Sequence, residues 1–192
     1  KRDDDPMAGK TNDTEDRIIA APIATITKHG SAAISLRQLA QHVGLTTGAF
    51  YKHFASKDDL FRAVTVTLSQ QLTAQVMPLL AAADTAKEKL CLLGEQLLQA
   101  SAAQPHVIDF LFFNPQATQQ YQPGTDTTDF PLLTLTRQLI AATLAGSAST
   151  TPTADFFTQV WSFILGYALL IKNGAAVYDR ALLTRTLDQM LV

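Results

Sequence analysis

The segment Thr46-Thr47-Gly48-Ala49 opens a short stretch with two hydroxyls, a bare backbone position and a methyl group. Side chains this small and polar at the front of a helix can enter a major groove and meet base edges, while the helix N-terminus directs free N–H groups at phosphate oxygens. Gly48 points the same way. Inside a helix it costs up to ~1 kcal/mol relative to alanine, a choice that makes sense where a backbone or base edge comes close. Thr46 and Thr47 serve as base or phosphate contacts or as caps, and Thr46 can do both. Arg37, one helix earlier, can reach a base edge or a phosphate, and Lys57, just downstream, is placed to clamp a phosphate. Lys52 either joins them or faces away.

The rest of the chain offers little chemistry of another kind. There is no Ser-His-Asp or Cys-His arrangement, no glycine-rich phosphate loop and no His-Glu-x-x-His motif. His106 and Asp109 are spaced to share a helical face, an arrangement that reads as a surface contact rather than a catalytic pair. His29 and His42 have no second ligand one helical turn on, so they read as helix-end or surface residues. No metal, cofactor or catalytic activity is expected.

The elements that must position the Thr46 segment are legible from periodicity and punctuation. From Asp13 to His29, Ile18, Ile19, Ile23 and Ile26 fall on one helical face and Gly30 provides a stop, while the interior Pro22 predicts a kink or an irregular first half. Ser35 followed three residues on by Gln38 is a capping box, with Leu36, Leu39, Ala40 and Val43 as the buried face. Gly44 then breaks the chain, Thr46 caps a second short helix, and Ser56 with Asp59 starts a long helix expected to end near Met77, before Pro78. Two short helices around a glycine turn are the helix-turn-helix layout, with Ala40, Val43 and Leu45 at the brace and Phe50, Phe54 and Phe61 in the core. Beyond Leu79, helices are expected at Ala86–Ala103, from Pro105, from Asn114-Pro115, and over Pro131–Leu144, Asp155–Lys172 and Asp179–Leu191, with polar loops at Gln122–Asp129 and Gly146–Pro152. No β alternation or internal repeat appears, so the fold class is all-α with about nine helices.

Composition sets the frame. With 47% hydrophobic and 17% charged residues, the 192-residue chain can bury a core and is too apolar for a disordered one. Cys91 is the single cysteine, so no intramolecular disulfide forms and no cysteine-based zinc site is expected. No uninterrupted apolar run reaches the ~20 residues of a membrane span, and no charged-then-apolar leader opens the chain. The expectation is a cytoplasmic protein with no membrane partner. Residues 1–12 lack periodicity and read as a disordered tail, in which Met7 offers a native start and residues 1–6 an appended remnant. A helix-turn-helix domain is expected over 13–60 and an effector-binding and dimerisation domain over 61–192. Charge divides along the same line. Between Arg17 and Arg62 six cations face two anions, a net +4, whereas the remainder, with nine cations and fifteen anions, is −6. A basic segment on an acidic chain fits contact with a polyanion.

The stretch ISLRQLAQHVGLTTGAFYKHFASKDDLFRAV, Ile34–Val64, resembles the DNA-binding domain of the tetracycline-repressor (TetR) family. The matching features are Ser35 at the head of the first short helix, Val43-Gly44-Leu45 at the turn, Gly48-Ala49-Phe50-Tyr51-Lys52-His53-Phe54 as the recognition helix and Ser56-Lys57-Asp58-Asp59-Leu60 at the next helix start. The resemblance implies contact with a double-stranded operator by these helices, with phosphate contacts from Tyr51 and His53. Pro22 departs from the pattern, as does Ala49, which replaces a frequent hydroxyl with a methyl able to touch thymine.

The C-terminal half has no DNA-like signal. The 155–172 segment places apolar side chains all round, so one side faces its own core and another needs a partner. With 179–191 it resembles the family's last two helices, which pair across a two-fold axis. The homodimer interface is therefore expected at Phe163, Tyr167, Leu170, Leu183, Leu187 and Met190. The family also implies an effector cavity, for which Phe110, Phe113, Tyr121, Phe157 and Trp161 are the aromatic candidates. With few charges among these helices, the expected effector is a small apolar or amphipathic molecule. The function that follows is a ligand-responsive dimeric regulator, most often a repressor in such families. The alternative is a helical small-molecule-binding or adaptor protein without DNA-binding activity.

Overall fold

The structure, a computed structural model, describes residues 6–115 and 129–192. Nine α-helices lie wholly within the described residues, which contain no strand, in agreement with the all-α expectation. In chain order they are α1 (Pro6–His29), α2 (Leu36–His42), α3 (Thr47–His53), α4 (Lys57–Ala81), α5 (Ala86–Ala103), α6 (Pro105–Phe113), α7 (Pro131–Ala145), α8 (Thr153–Lys172) and α9 (Arg180–Met190). A 3-10 turn at Ser31–Ala33 joins α1 to α2.

Helix α1 starts at Pro6, so 6–12, expected from the sequence to be a tail, are helical here. Proline suits a first helical position because its missing N–H would have no partner there. Residues 1–5 of the expected remnant lie outside the described residues. The helix also runs through Pro22, whose missing N–H leaves the Ile18 carbonyl without its usual donor. Ile18, Pro22 and Ile26 are all but completely buried on one face, and α1 packs on α4 and α6 as well as α2. That burial holds the helix together where its own ladder is broken.

Helix α4 is the shared beam. It packs against α1 in the head and against α5, α6 and α7 in the body. It extends to Ala81, past the expected stop, and Pro78 sits inside its last turns. The cause is tertiary: Val76 and Leu80, one turn apart, are both buried, and this fixes the final turn in spite of the proline. The expected division between domains at 60/61 falls inside this helix.

Helix α5 lies at the centre of the C-terminal bundle, touching α4, α6, α7, α8 and α9. Its start is a complete capping box. Thr85 Oγ1 accepts the Glu88 N–H at 3.2 Å, and the Glu88 carboxylate accepts the Thr85 and Asp84 N–H groups at 3.0 and 3.1 Å. Gly94 lets α8 and α9 approach, since a Cβ there would stand 3.0 Å from Ile164 Cδ1 and 3.5 Å from Leu183 Cδ1.

Helix α8 is not apolar on every side, contrary to the sequence reading. Phe156, Val160, Ile164, Tyr167 and Ala168 are buried, while Thr158, Gln159 and Ser162 join Leu169 and Leu170 on the exposed side. It is 20 residues long and apolar enough, by length and composition, to cross a membrane, yet it packs against α5, α7 and α9 as a core helix does. It ends in a left-handed Gly174 (φ 68°), and the Tyr167 hydroxyl ties down the next loop by donating to the Val177 carbonyl at 2.8 Å and accepting from the Asp179 N–H at 2.7 Å.

Two stability outcomes follow. Hydrogen bonds from the backbone, that of Thr85 first, hold the Glu88 carboxyl below its ordinary value of 4.5. Its stabilising effect is therefore present above the unfolded-state pKa and disappears as pH falls through the lowered folded-state value. Thermal unfolding should show Glu88→Ala less stable than wild type at pH 7, with the gap narrowing below pH ~4. Gly94→Val should destabilise by about 1–3 kcal/mol through overpacking against Ile164 and Leu183, measured by denaturant titration.

Candidate nucleic-acid interface

Three local devices orient α3. Ser35 Oγ accepts the Gln38 N–H at 3.5 Å and starts α2. At its other end α2 closes in a Schellman turn: Gly44 adopts φ 75°, its N–H donates to the Gln41 carbonyl at 3.2 Å, and the Leu45 N–H donates to the Ala40 carbonyl at 2.8 Å. Only glycine takes this left-handed backbone without strain. Thr46 Oγ1 then accepts the Ala49 N–H at 3.1 Å and caps α3. Helix α3 is anchored by a single aromatic ring, that of Phe50, which is fully buried and lies 6.2 Å from the ring of Phe54.

With Phe50 inward, the opposite face of α3 is fixed. Thr47, Gly48, Tyr51 and Lys52 are exposed, as is Thr46 before them. Tyr51 retains 46% of its surface, a large value for an aromatic ring. Ala49 is half-buried. A Cβ at Gly48 would meet nothing within 4 Å, so packing within the protomer does not require the glycine. Arg37 stands exposed on α2. The structure thus brings Thr47, Gly48, Tyr51 and Lys52, four of the recognition-helix residues expected from the sequence, to one open face.

Two of the expected contacts also bind inside the head. Lys57 Nζ donates to the Ile34 carbonyl at 3.3 Å and lies 5.0 Å above the Phe61 ring. His53 Nδ1 is 3.6 Å from Glu15 Oε1 on α1. Arg17, which the sequence offered only as a charge, donates to the Val43 carbonyl at 3.3 Å and so pins the α2–α3 turn to α1. Arg62 pairs with Asp129 at 3.1 Å and lies 5.8 Å from the Phe130 ring. Of the six cations between 17 and 62, Lys28, Arg37 and Lys52 are exposed and have no ion pair among the described residues. No local sequence signal reveals the Arg17 or Lys57 contacts, because each joins residues more than twenty positions apart.

The aromatic residues expected to line an effector cavity do not gather around one. Phe110 is buried edge-on against Phe61 at 5.1 Å, within the core. Phe113 is exposed, and Tyr121 lies outside the described residues. Phe157 stacks on Trp161 at 5.7 Å, and Trp161 meets Phe112 edge-on at 5.4 Å. Only Trp161 borders the apolar space between α5, α8 and α9, which measures about 20 Å³ and holds little more than one water. A larger cleft of about 200 Å³ opens between α4, α5 and α7, and none of these aromatics lines it.

The expected interface residues also divide. Tyr167, Leu183 and Leu187 are buried within the protomer, Phe163 and Met190 are half-buried, and Leu170 is exposed at 49%. The first three were misplaced because an amphipathic pattern shows that a face is buried without showing whether its cover is the same chain. The surface that α8 and α9 leave open holds Leu169, Leu170 and Leu182. In the loop between α8 and α9, burial and the neighbouring Glu95 carboxylate push the Tyr178 hydroxyl up to about 12.

Comparison with known proteins agrees with this geometry. Residues 18–64 match the family model for bacterial regulatory proteins of the tetR family. The uncharacterized HTH-type transcriptional regulator YerO of Bacillus subtilis (strain 168) is 41% identical over 49 residues, a match spanning 26% of this chain and 17% of that protein. Among solved structures, RolR in complex with resorcinol superposes with a TM-score of 0.71 at 16% identity, covering 96% of this chain and 90% of its own. A TetR transcription regulator from Haloarcula marismortui ATCC 43049 gives 0.65 at 15% identity, covering 94% and 97%. Residues 18–64 thus carry the sequence pattern of the tetR family of bacterial regulatory proteins, and the chain as a whole shares the fold of these solved structures.

Proposed function

We propose that this chain is a transcriptional regulator, acting as a repressor, that binds a palindromic double-stranded DNA operator as a homodimer and is released by a small apolar or amphipathic effector. The observation that supports it best is the open face of α3. Thr46, Thr47, Gly48, Tyr51 and Lys52 are displayed together while Phe50 locks the helix from behind. Glycine there is disfavoured by helix propensity and not required by packing, which leaves approach by an external partner as its use. On this reading residues 13–60 form the head, 61–192 the effector-binding and dimerisation body, and α4 belongs to both.

Pairing two heads answers a physical need. A single helix-turn-helix reads few bases, and two recognition helices about one DNA turn apart, or a multiple of it, read a palindrome. The exposed leucines of α8 and α9 offer a surface for the pairing. Release requires that the effector bind the wrongly spaced arrangement of heads more tightly than the DNA-competent one. RolR, similar in fold, has been solved with a small phenol, resorcinol.

A mobility-shift assay with the DNA upstream of its own gene tests this reading. The expected result is a dimer complex that weakens steeply with salt and exceeds binding to random DNA by about 10³-fold or more. Equal affinity for both DNAs, or none, would leave a ligand-binding protein without operator activity. Tyr51→Phe, which removes only the hydroxyl, should weaken operator binding about tenfold across the two half-sites while leaving thermal stability unchanged. Gly48→Ala should raise stability by up to ~1 kcal/mol and yet reduce operator affinity at least tenfold. Unchanged affinity in Gly48→Ala would remove the close approach assigned to this position.

A further inference from the structure

We propose that the cleft between α4, α5 and α7 takes an uncharged, single-ring molecule bearing a group that both donates and accepts hydrogen bonds. Four glutamines border it: Gln75 on α4, Gln96 and Gln99 on α5, and Gln104 at the α5–α6 junction. Among the described residues that line it, no other side chain can donate or accept a hydrogen bond and none is charged.

The floor and the rim differ in character. Val76, Leu93, Leu97 and Leu132 at the base are buried, whereas Gln75, Gln99, Ala103 and Gln104 at the edge are exposed. On α5, Gln96, Gln99, Ala100 and Ala103 follow the one-turn spacing of a single helical face, so two amides are followed by two methyl-sized residues. The small residues leave the opening wide, and the amides stand around it.

Chemistry narrows the occupant. Each carboxamide offers both a carbonyl acceptor and an N–H₂ donor. Gln99 already donates to Glu95 Oε1 at 3.2 Å, which leaves its carbonyl oxygen available to a ligand donor. A charged ligand would lose hydration on entry without meeting a counter-charge in the lining, a cost of several kcal/mol by the usual order of magnitude. A neutral donor–acceptor group loses less and finds matching amides, while an aromatic or aliphatic ring covers the leucine floor. The volume of about 200 Å³ suits one ring rather than a drug-sized compound.

The cleft adjoins the beam that holds the DNA-binding head. Ser69 on α4, one turn before the lining residue Leu72, accepts the buried N–H of Leu132 at 3.1 Å, and Leu132 itself lines the cleft. A ring seated against Leu132 therefore presses on the joint between α7 and α4. That regulatory consequence rests on the operator-binding reading above. Occupancy of the cleft does not.

Side-chain amide NMR on the full chain tests the proposal with three probes of one shape: benzamide, benzoate and benzylammonium. The expected result is that benzamide shifts the Gln75, Gln96, Gln99 and Gln104 amide signals, assigned by single Gln→Glu variants, and that the two ions bind at least tenfold more weakly. Ala100→Leu, which fills the half-buried rim, should abolish the benzamide shifts while its backbone spectrum stays folded. Benzamide shifts confined to other residues, equal binding by all three probes, or benzamide binding unchanged in Ala100→Leu would each overturn it. Ala103→Leu, at an exposed position of the rim, supplies the same reading if Ala100→Leu does not fold. Because the measurement is made without DNA, its failure leaves operator binding standing, and a failed mobility shift leaves the cleft standing.

Discussion

The orientation of α3 depends on the left-handed turn at Gly44. The Schellman bonds from Gly44 and Leu45 stop α2 and reverse the chain, and Arg17 from α1 completes the turn by binding the Val43 carbonyl. Every side chain of the open face is aimed by this turn together with one buried ring, Phe50. A seven-residue helix is too short to persist in water by itself, since nucleation is unfavourable and few internal hydrogen bonds follow it. Its geometry is therefore imposed by the caps at Thr46 and Ser56 and by the core beneath. Lys57 and His53 contribute by tying α4 and α3 to the loop before α2 and to α1.

The C-terminal helices solve a different problem, that of holding α4 firmly at one end of a body. Helix α5 does most of this, because Gly94 brings α8 and α9 close and Leu90, Leu93, Leu97 and Leu98 bury a continuous stripe. Burial of four leucines stabilises by roughly 1.5–3 kcal/mol each relative to exposure, an upper range given the compactness of real unfolded chains. Helix α6 then carries the body back to the head: it packs on α1, and His106 lies against the Gly30 turn, with Nδ1 3.4 Å from where a Cβ would be. Two routes thus join body and head, one along α4 and one through the start of α6.

Much of the head was legible in the sequence because its signals are local. Glycine at 44, hydroxyls at 46 and 56, and apolar residues at helical spacing each specify a backbone state within a few residues. Where the sequence misled, the missing information was tertiary. Pro78 predicts a helix end that burial of Leu80 overrides. Arg17, Lys57 and Arg62 were legible as charge and not as partners of Val43, Ile34 and Asp129. The rotation of the C-terminal helices about their axes was legible only in part, so Phe110, Phe113, Phe157 and Trp161 read as one set, whereas Phe157 and Trp161 stack on each other, Phe110 packs on Phe61 and Phe113 is exposed. The glutamine face of α5 is visible as a spacing, but a face becomes a cleft only when α4 and α7 stand opposite it.

Magnitudes indicate which joint can transmit an effector's presence. Allosteric coupling typically amounts to about 1–3 kcal/mol. The Arg62–Asp129 pair is more than half exposed on both sides, and pairs of that kind contribute ~0.2–1 kcal/mol and fade with salt. The Ser69–Leu132 hydrogen bond is buried, and leaving a buried N–H without its acceptor costs about 1–3 kcal/mol. The buried bond alone falls in the range of the coupling required, so on the proposed mechanism the joint that responds is Ser69–Leu132. It lies two turns along α4 from Phe61, whose ring touches both Lys57 in the head and Phe110 in the body. A shift of α7 at Leu132 would act on the helix whose first turn sets Lys57 against Ile34 and, in the proposed dimer, through it on the spacing of the two α3 helices.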